Sequence, residues 1–261
     1  MTSKLEAVRC FLLDMDGTFY LGDKLLEGSL EFIDAVVKSG RDYLFLTNNS
    51  SKSADYYVQK LGRMGLHVDK SKVLTSGQAT AMAVLREFPG KSAFVLGNEL
   101  LMEELAGFGV SIDQQQPDYV IVGYDTSLDY EKMTAVCDFV RQGLPFVATH
   151  PDFNCPTETG FAPDIGAILA FIEASTGRKP DWIVGKPYRG IVDAALERTG
   201  RRADELAMVG DRLYTDVETG LRHGLLAVLV MSGETTAEML AQSETKPDAV
   251  YGRLADMIPE L

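Results

Sequence analysis

Short continuous apolar runs alternate along the chain with longer stretches in which apolar residues recur every three or four positions. The first kind predicts strands of a parallel sheet buried on both faces, and the second predicts helices packed against them. Strands are expected at 8–13, 43–46, near 73, and at 93–96, 119–122, 146–148, 182–184, 206–209 and 225–230. Helices are expected at 28–38, from about 52, and at 78–87, 99–106, 130–142, 165–174, 190–198 and 213–223, with a last strand and helix after Pro247. This alternation is the mark of α/β architecture. Glycine and proline punctuation is densest at Phe88-Pro89-Gly90 and at Thr176-Gly177-Arg178-Lys179-Pro180. Residues 1–80 and 181–261 are therefore expected to form a Rossmann-like core domain, and residues 81–180 an inserted α/β domain.

At 261 residues and 46% hydrophobic content, the chain has material for a sizeable core. Its longest apolar run, 225–231, has seven residues, far short of the roughly 20 that span a bilayer. The polar start, 1–9, is not followed by the apolar segment of a signal peptide, so the expected compartment is the cytoplasm. A net charge of -13 disfavours nucleic acid and anionic membranes, which both need a positive footprint. Cys10, Cys137 and Cys155 are an odd number without metal-site spacing, and are expected to be reduced thiols.

Four of the predicted strands end in polar clusters: Asp14 and Asp16; Thr47 and Asn48; Gly185-Lys186-Pro187; and Gly210-Asp211 through Asp216. Parallel sheets carry their ligands outside the carboxyl ends of their strands, so these clusters are expected to leave one sheet edge together. A carboxylate can attack phosphorus directly, and Asp14, first out of its strand, is the candidate nucleophile. Asp16, two residues on, lies on the same side of an extended chain, where it can protonate a leaving oxygen and later deprotonate water. Crowded carboxylates demand a hard divalent cation, and magnesium fits best. Its expected ligands are Asp14, Asp211 and the backbone carbonyl of Asp16, with Asp216 behind them holding metal-bound water or Lys186. Thr47, Asn48 and Asn49 stand at a helix start, where donors can take phosphate oxygens, and Lys186 adds a positive charge.

Asp14-Met15-Asp16-Gly17-Thr18, Leu46-Thr47-Asn48, Lys186 and Gly210-Asp211 through Asp216 resemble the four signature motifs of the haloacid dehalogenase-like phosphohydrolase superfamily. The resemblance implies a Rossmann-like sheet, magnesium, Asp14 as nucleophile and Asp16 as acid and base; the Asp at the second position favours a phosphatase. Thr47 lies 33 positions after Asp14, whereas Lys186 lies 139 after Thr47, so a large cap must fall between the second and third motifs. Together with Thr47-Asn48-Asn49-Ser50-Ser51 and Thr149-His150-Pro151-Asp152, this resembles the type IIA group, called NagD-like or p-nitrophenylphosphatase-like. Such a group implies a small phosphorylated metabolite as substrate, such as a nucleotide, sugar phosphate or phosphoglycolate, and a homodimer formed through the cap. Two positions depart from its pattern. His150 stands where Asn is common, and Asp164 where Gly often follows Pro163.

Asn154 and Glu158, in a proline-rich loop of the insert, are the candidates for reading the leaving group. His150 reads better as a structural loop histidine, and His67 and His223 as surface residues. Gly90-Lys91-Ser92 is rejected as a phosphate loop because position 85 is Leu, and no Gly-x-Gly-x-x-Gly follows a strand. The expected activity is magnesium-dependent phosphomonoester hydrolysis through an aspartyl phosphate, with a mobile cap closing over the site. The competing readings are a phosphotransferase or phosphomutase with the same intermediate, and a non-catalytic metabolite binder. A phospho-receiver module would be near half this length and needs no insert.

Overall fold

A computed structural model describes residues 4–157 and 160–261. The chain divides into two compact units, one built from residues 1–47, 55–74 and 195–261, the other from residues 48–54 and 75–194. The first carries a six-stranded sheet in the order Ala249–Tyr251, Leu226–Val230, Leu206–Gly210, Cys10–Leu13, Asp42–Thr47, Val73–Thr75. The pairings of Cys10–Leu13 with both neighbours are parallel, in register Leu13↔Val209 and Leu13↔Phe45. All four residues of that central strand are buried, which is why it reads as an unbroken apolar run rather than an alternating one. Edge-to-face pairs Phe11–Phe32 and Phe19–Phe45, with centroids 5.5 and 4.9 Å apart, fill the layer beside it. Such pairs add roughly 0.5–1.5 kcal/mol beyond the area they bury.

The second unit carries a parallel five-stranded sheet, ordered Trp182–Ile183, Phe146–Ala148, Tyr119–Val122, Ser92–Leu96, Ser111–Ile112. Its core joins Val120, Val122 and Phe146 to Val136 and Val140 of the helix Tyr130–Arg141 and to Ile165, Ile168 and Ile172 of the helix Ile165–Thr176. Each of these helices places its apolar residues three or four apart and opens on an Asp cap, Asp129 or Asp164.

Most predicted elements are present, and the differences that matter here are these. The strand Trp182–Ile183 pairs with Phe146–Ala148, so three of the four polar clusters, not four, leave the six-stranded sheet; a short apolar run carries no record of its pairing partner. The proline-rich segment expected to be a loop forms an antiparallel pair, Asn154–Thr157 with Gly160–Pro163. The helix expected at 213–223 is a π-helical turn, Leu213–Val217, followed by a short helix, Glu218–His223. An unpredicted helix, Ala237–Gln242, lies between the strand Leu226–Val230 and the last strand Ala249–Tyr251.

Candidate active site

Leu206–Gly210, Cys10–Leu13 and Asp42–Thr47 are adjacent parallel strands, so the residues that follow or close them stand side by side at one sheet edge: Asp211, Asp14 and Thr47. Asp14 donates its N–H to the Val209 carbonyl at 2.9 Å, continuing the ladder one residue past the strand. The carboxylates of Asp14, Asp211 and Asp216 each place an oxygen within 4.8 Å of the others. Asp216 is fully buried, and the π-turn is what returns it: its Oδ2 accepts the Arg212 N–H at 3.1 Å. A Cβ on Gly210 would lie 2.2 Å from the Asp216 carboxyl carbon, so only glycine fits at the strand end.

Asp211 is held as tightly. Its Oδ2 accepts the Glu234 N–H at 2.7 Å and its Oδ1 accepts the Thr18 hydroxyl at 3.3 Å. Gly17, at φ +85°, lets the turn after Asp16 close over it; a Cβ there would sit 2.4 Å from Asp211 Oδ2. Burial pushes the Asp211 carboxyl up to about 7, and the neighbouring charges of Asp14 and Asp216 push the same way. Asp16 reaches solvent but is crowded by protein; this desolvation raises its carboxyl, helped by Asp14 and opposed by Lys60 and the Gly22 N–H. A raised carboxyl is what a proton donor near neutral pH needs.

Two cations near the carboxylates were not read from the sequence. Burial works against the charge on the Arg212 guanidinium, but Asp14, Tyr214, Asp216 and Glu234 together hold it above the ordinary arginine value. Its buried Nε lies 2.9 Å from Glu234 Oε2 but out of line for a hydrogen bond. Lys60 sits over the Tyr20 ring at 4.0 Å and faces Asp16 electrostatically. Arg212 could have been flagged, since it directly follows Asp211; Lys60, in mid-helix, gives no local signal.

In the second unit the Asn48 carboxamide is fully engaged. Its Oδ1 accepts the Lys186 N–H at 2.7 Å, and its Nδ2 donates to the Lys186 carbonyl at 3.0 Å and to Asp152 Oδ2 at 3.1 Å. Asn48 is thus a bracket for Lys186, whose side chain is 2% exposed, and Asp152 is a partner the sequence did not single out. Asn49 Oδ1 accepts from both the N–H and hydroxyl of Ser51, closing a turn. Asn154 is exposed at the start of the antiparallel pair. Glu158 lies outside the described residues. Thr47 is buried at its strand end.

The donor set fits a divalent cation: three carboxylates offer hard oxygens, two of them buried, and their mutual repulsion already raises one of them. Haloacid dehalogenase-like hydrolase models match residues 11–111 and, in a second HAD-like model, residues 183–257. An acid sugar phosphatase from Staphylococcus aureus is 35% identical over 258 residues, covering 98% of this chain and 99% of that one. The chain belongs to the haloacid dehalogenase-like hydrolases. Within them it falls in the type IIA, NagD-like and p-nitrophenylphosphatase-like group. A 4-nitrophenylphosphatase structure from Thermotoga maritima matches this haloacid dehalogenase-like chain at 46% identity and a TM-score of 0.96, covering 98% of each. A glycerol phosphate phosphatase from Mycobacterium tuberculosis, solved in complex with calcium, is 29% identical with a TM-score of 0.90, over 98% of this chain and 76% of that one. No described helix is long and apolar enough to cross a membrane.

Proposed function

We propose that this phosphatase is a magnesium-dependent phosphomonoester hydrolase that takes a small phosphorylated metabolite through an aspartyl phosphate on Asp14. The observation that carries this reading is the gathering of Asp14, Asp211 and Asp216 at the ends of adjacent strands, beside an Asp16 whose carboxyl is raised. Asp14 and Asp211 would hold the cation, with the Asp16 carbonyl as a further ligand and Asp216 behind them; when bound, it supplies positive charge that offsets the carboxylates and the phosphate. An Asp14 oxygen attacks phosphorus, the ester P–O bond breaks, and the Asp16 proton passes to the leaving oxygen. Asp16, now a carboxylate, takes a proton from water as that water attacks the phosphorus, and Asp14 is freed with release of phosphate.

Lys186, fixed through its backbone by Asn48, is proposed to balance phosphate charge as a point cation. Thr47, Asn48 and Asn49 are proposed as the segment that receives the phosphate, and Asn154 and Glu158 as leaving-group contacts. The names of the relatives, which include sugar, glycerol and nitrophenyl phosphatases, support a small phosphate ester as substrate. Asp14→Asn removes the attacking oxygen's charge with little change in shape. Turnover of p-nitrophenyl phosphate with magnesium should fall at least about 10³-fold, with an unchanged circular dichroism spectrum. Parent-level turnover in that variant would sink the nucleophile assignment.

A further inference from the structure

Two buried residues of the second unit, His150 and Asp164, touch each other. His150 Nε2 lies 3.1 Å from Asp164 Oδ1, and both side chains are buried, His150 completely. The contact ends a chain of hydrogen bonds. The Tyr124 N–H donates to Ser50 Oγ at 2.9 Å, and the Ser50 and Thr149 hydroxyls share a hydrogen bond at 3.0 Å. Thr149 Oγ1 lies 3.0 Å from His150 Nδ1. At the other end the Asp164 carboxylate can only accept, which puts the imidazole proton on Nε2, and the same Oδ1 takes the Ile165 N–H at 2.6 Å. With a neutral imidazole Nδ1 is then the acceptor, so Thr149 donates to it and Ser50 donates to Thr149.

The elements joined by this chain are functional ones. Ser50 follows Asn48, the bracket of Lys186, and Asp164 closes the base of the antiparallel pair that bears Asn154, its own N–H donating to the Phe153 carbonyl at 2.9 Å. Between them Asp152 accepts from Asn48 Nδ2, while its carbonyl accepts the Gly166 N–H at 2.8 Å. We propose that His150 and Asp164 are positioning residues for substrate selection, locking the Asn154–Pro163 end of the antiparallel pair to the Asn48–Lys186 bracket. This inference rests on the phosphatase reading above and assigns to the same unit the fixed geometry that discrimination requires. Sites must hold their contacts within about 0.5 Å, and a side-chain pair that is buried and fully bonded does so at little cost in motion.

The test compares p-nitrophenyl phosphate, which has a bulky leaving group, with acetyl phosphate, whose acetate offers the antiparallel pair little to hold. His150→Asn and Asp164→Ala should each raise KM for p-nitrophenyl phosphate about tenfold while kcat stays within about twofold, the pattern of lost leaving-group binding. Acetyl phosphate kinetics should move less than about twofold. Asp164→Asn, which keeps the acceptor, should restore parent KM, and the double variant should be no worse than either single one. Thr149→Val removes the contact to His150 Nδ1 but leaves His150 and Asp164 themselves in place, and should give the same KM signature, which keeps the test open if Asp164→Ala does not fold. Histidine nitrogen NMR should show one Nε2–H tautomer slow to exchange, lost in His150→Asn. Equal losses on both substrates, additive effects, or no change in KM would overturn the proposal. Failure of the phosphatase reading shows separately, as turnover of both substrates surviving Asp14→Asn.

Discussion

At the scale of single residues, the working parts are two carboxyls lifted above their ordinary values for different ends. Asp16 is raised mainly by desolvation while still reaching solvent, which suits a group that must give up and regain a proton. Its contribution should therefore depend on how badly the leaving group needs that proton. Asp16→Ala is expected to lower kcat about 10²–10⁴-fold on an alkyl phosphate such as glycerol phosphate, and far less on p-nitrophenyl phosphate, whose phenolate leaves unaided. Equal losses on the two esters would remove Asp16 from proton transfer. Asp211, raised to about 7 by burial and by Asp14 and Asp216, gives a stability prediction for the cation-free protein. Well below pH 4 the group is protonated folded and unfolded alike; between about pH 4 and 7 the unfolded chain has lost its proton while the folded one keeps it, so stability falls across that window and levels off above it. Cation-free Asp211→Asn should thus melt above the parent at pH 8, with the advantage shrinking at pH 5. Magnesium should raise the parent's melting point and not the variant's. An advantage equal at both pH values would contradict the assignment.

At the scale of elements, legibility followed locality. The strands Cys10–Leu13 and Leu206–Gly210 and their acidic sequels could be read directly, because burial on both faces writes itself as an apolar run. Asp14, Asp16, Asp211 and Asp216 were readable for the same reason: each sits a fixed count of residues beyond a strand. The antiparallel pair of Asn154–Thr157 with Gly160–Pro163 was not, since Pro156, Gly160 and Pro163 argue against strand and its pairing is only four residues long. Nor was the partner of Trp182–Ile183, or the bracket between Asn48 and Lys186, 138 positions apart. The π-turn Leu213–Val217 hid inside a helical pattern; its wider coil is what turns Asp216 back under Gly210. Gly210→Ala should force those two apart, costing about 1–3 kcal/mol and weakening divalent affinity measured by calorimetry. A variant with parent stability and affinity would show the close approach to be dispensable.

At the scale of the whole molecule, burial sorts the three thiols. Cys10 and Cys137 are buried and Cys155 is partly exposed, and burial with help from Asp42 pushes the Cys10 thiol up to about 12. A folded sample at pH 8 should therefore take up one equivalent of a thiol reagent, at Cys155, with the other two reacting only after denaturation; mass spectrometry of the labelled peptides would expose a different order. The pairing of Cys10 with Leu206 bears on how the molecule is made. The strand that leads to Asp14 leaves a ribosome long before its neighbour Leu206–Gly210, which leads to Asp211 and Asp216. Contacts so distant in sequence form late, because the intervening loop must be closed first. A nascent chain ending before Asp211 has no means of gathering the three carboxylates, so cation capture becomes a checkpoint on synthesis past Asp216: products truncated before it stay incompetent, however well their second unit has folded.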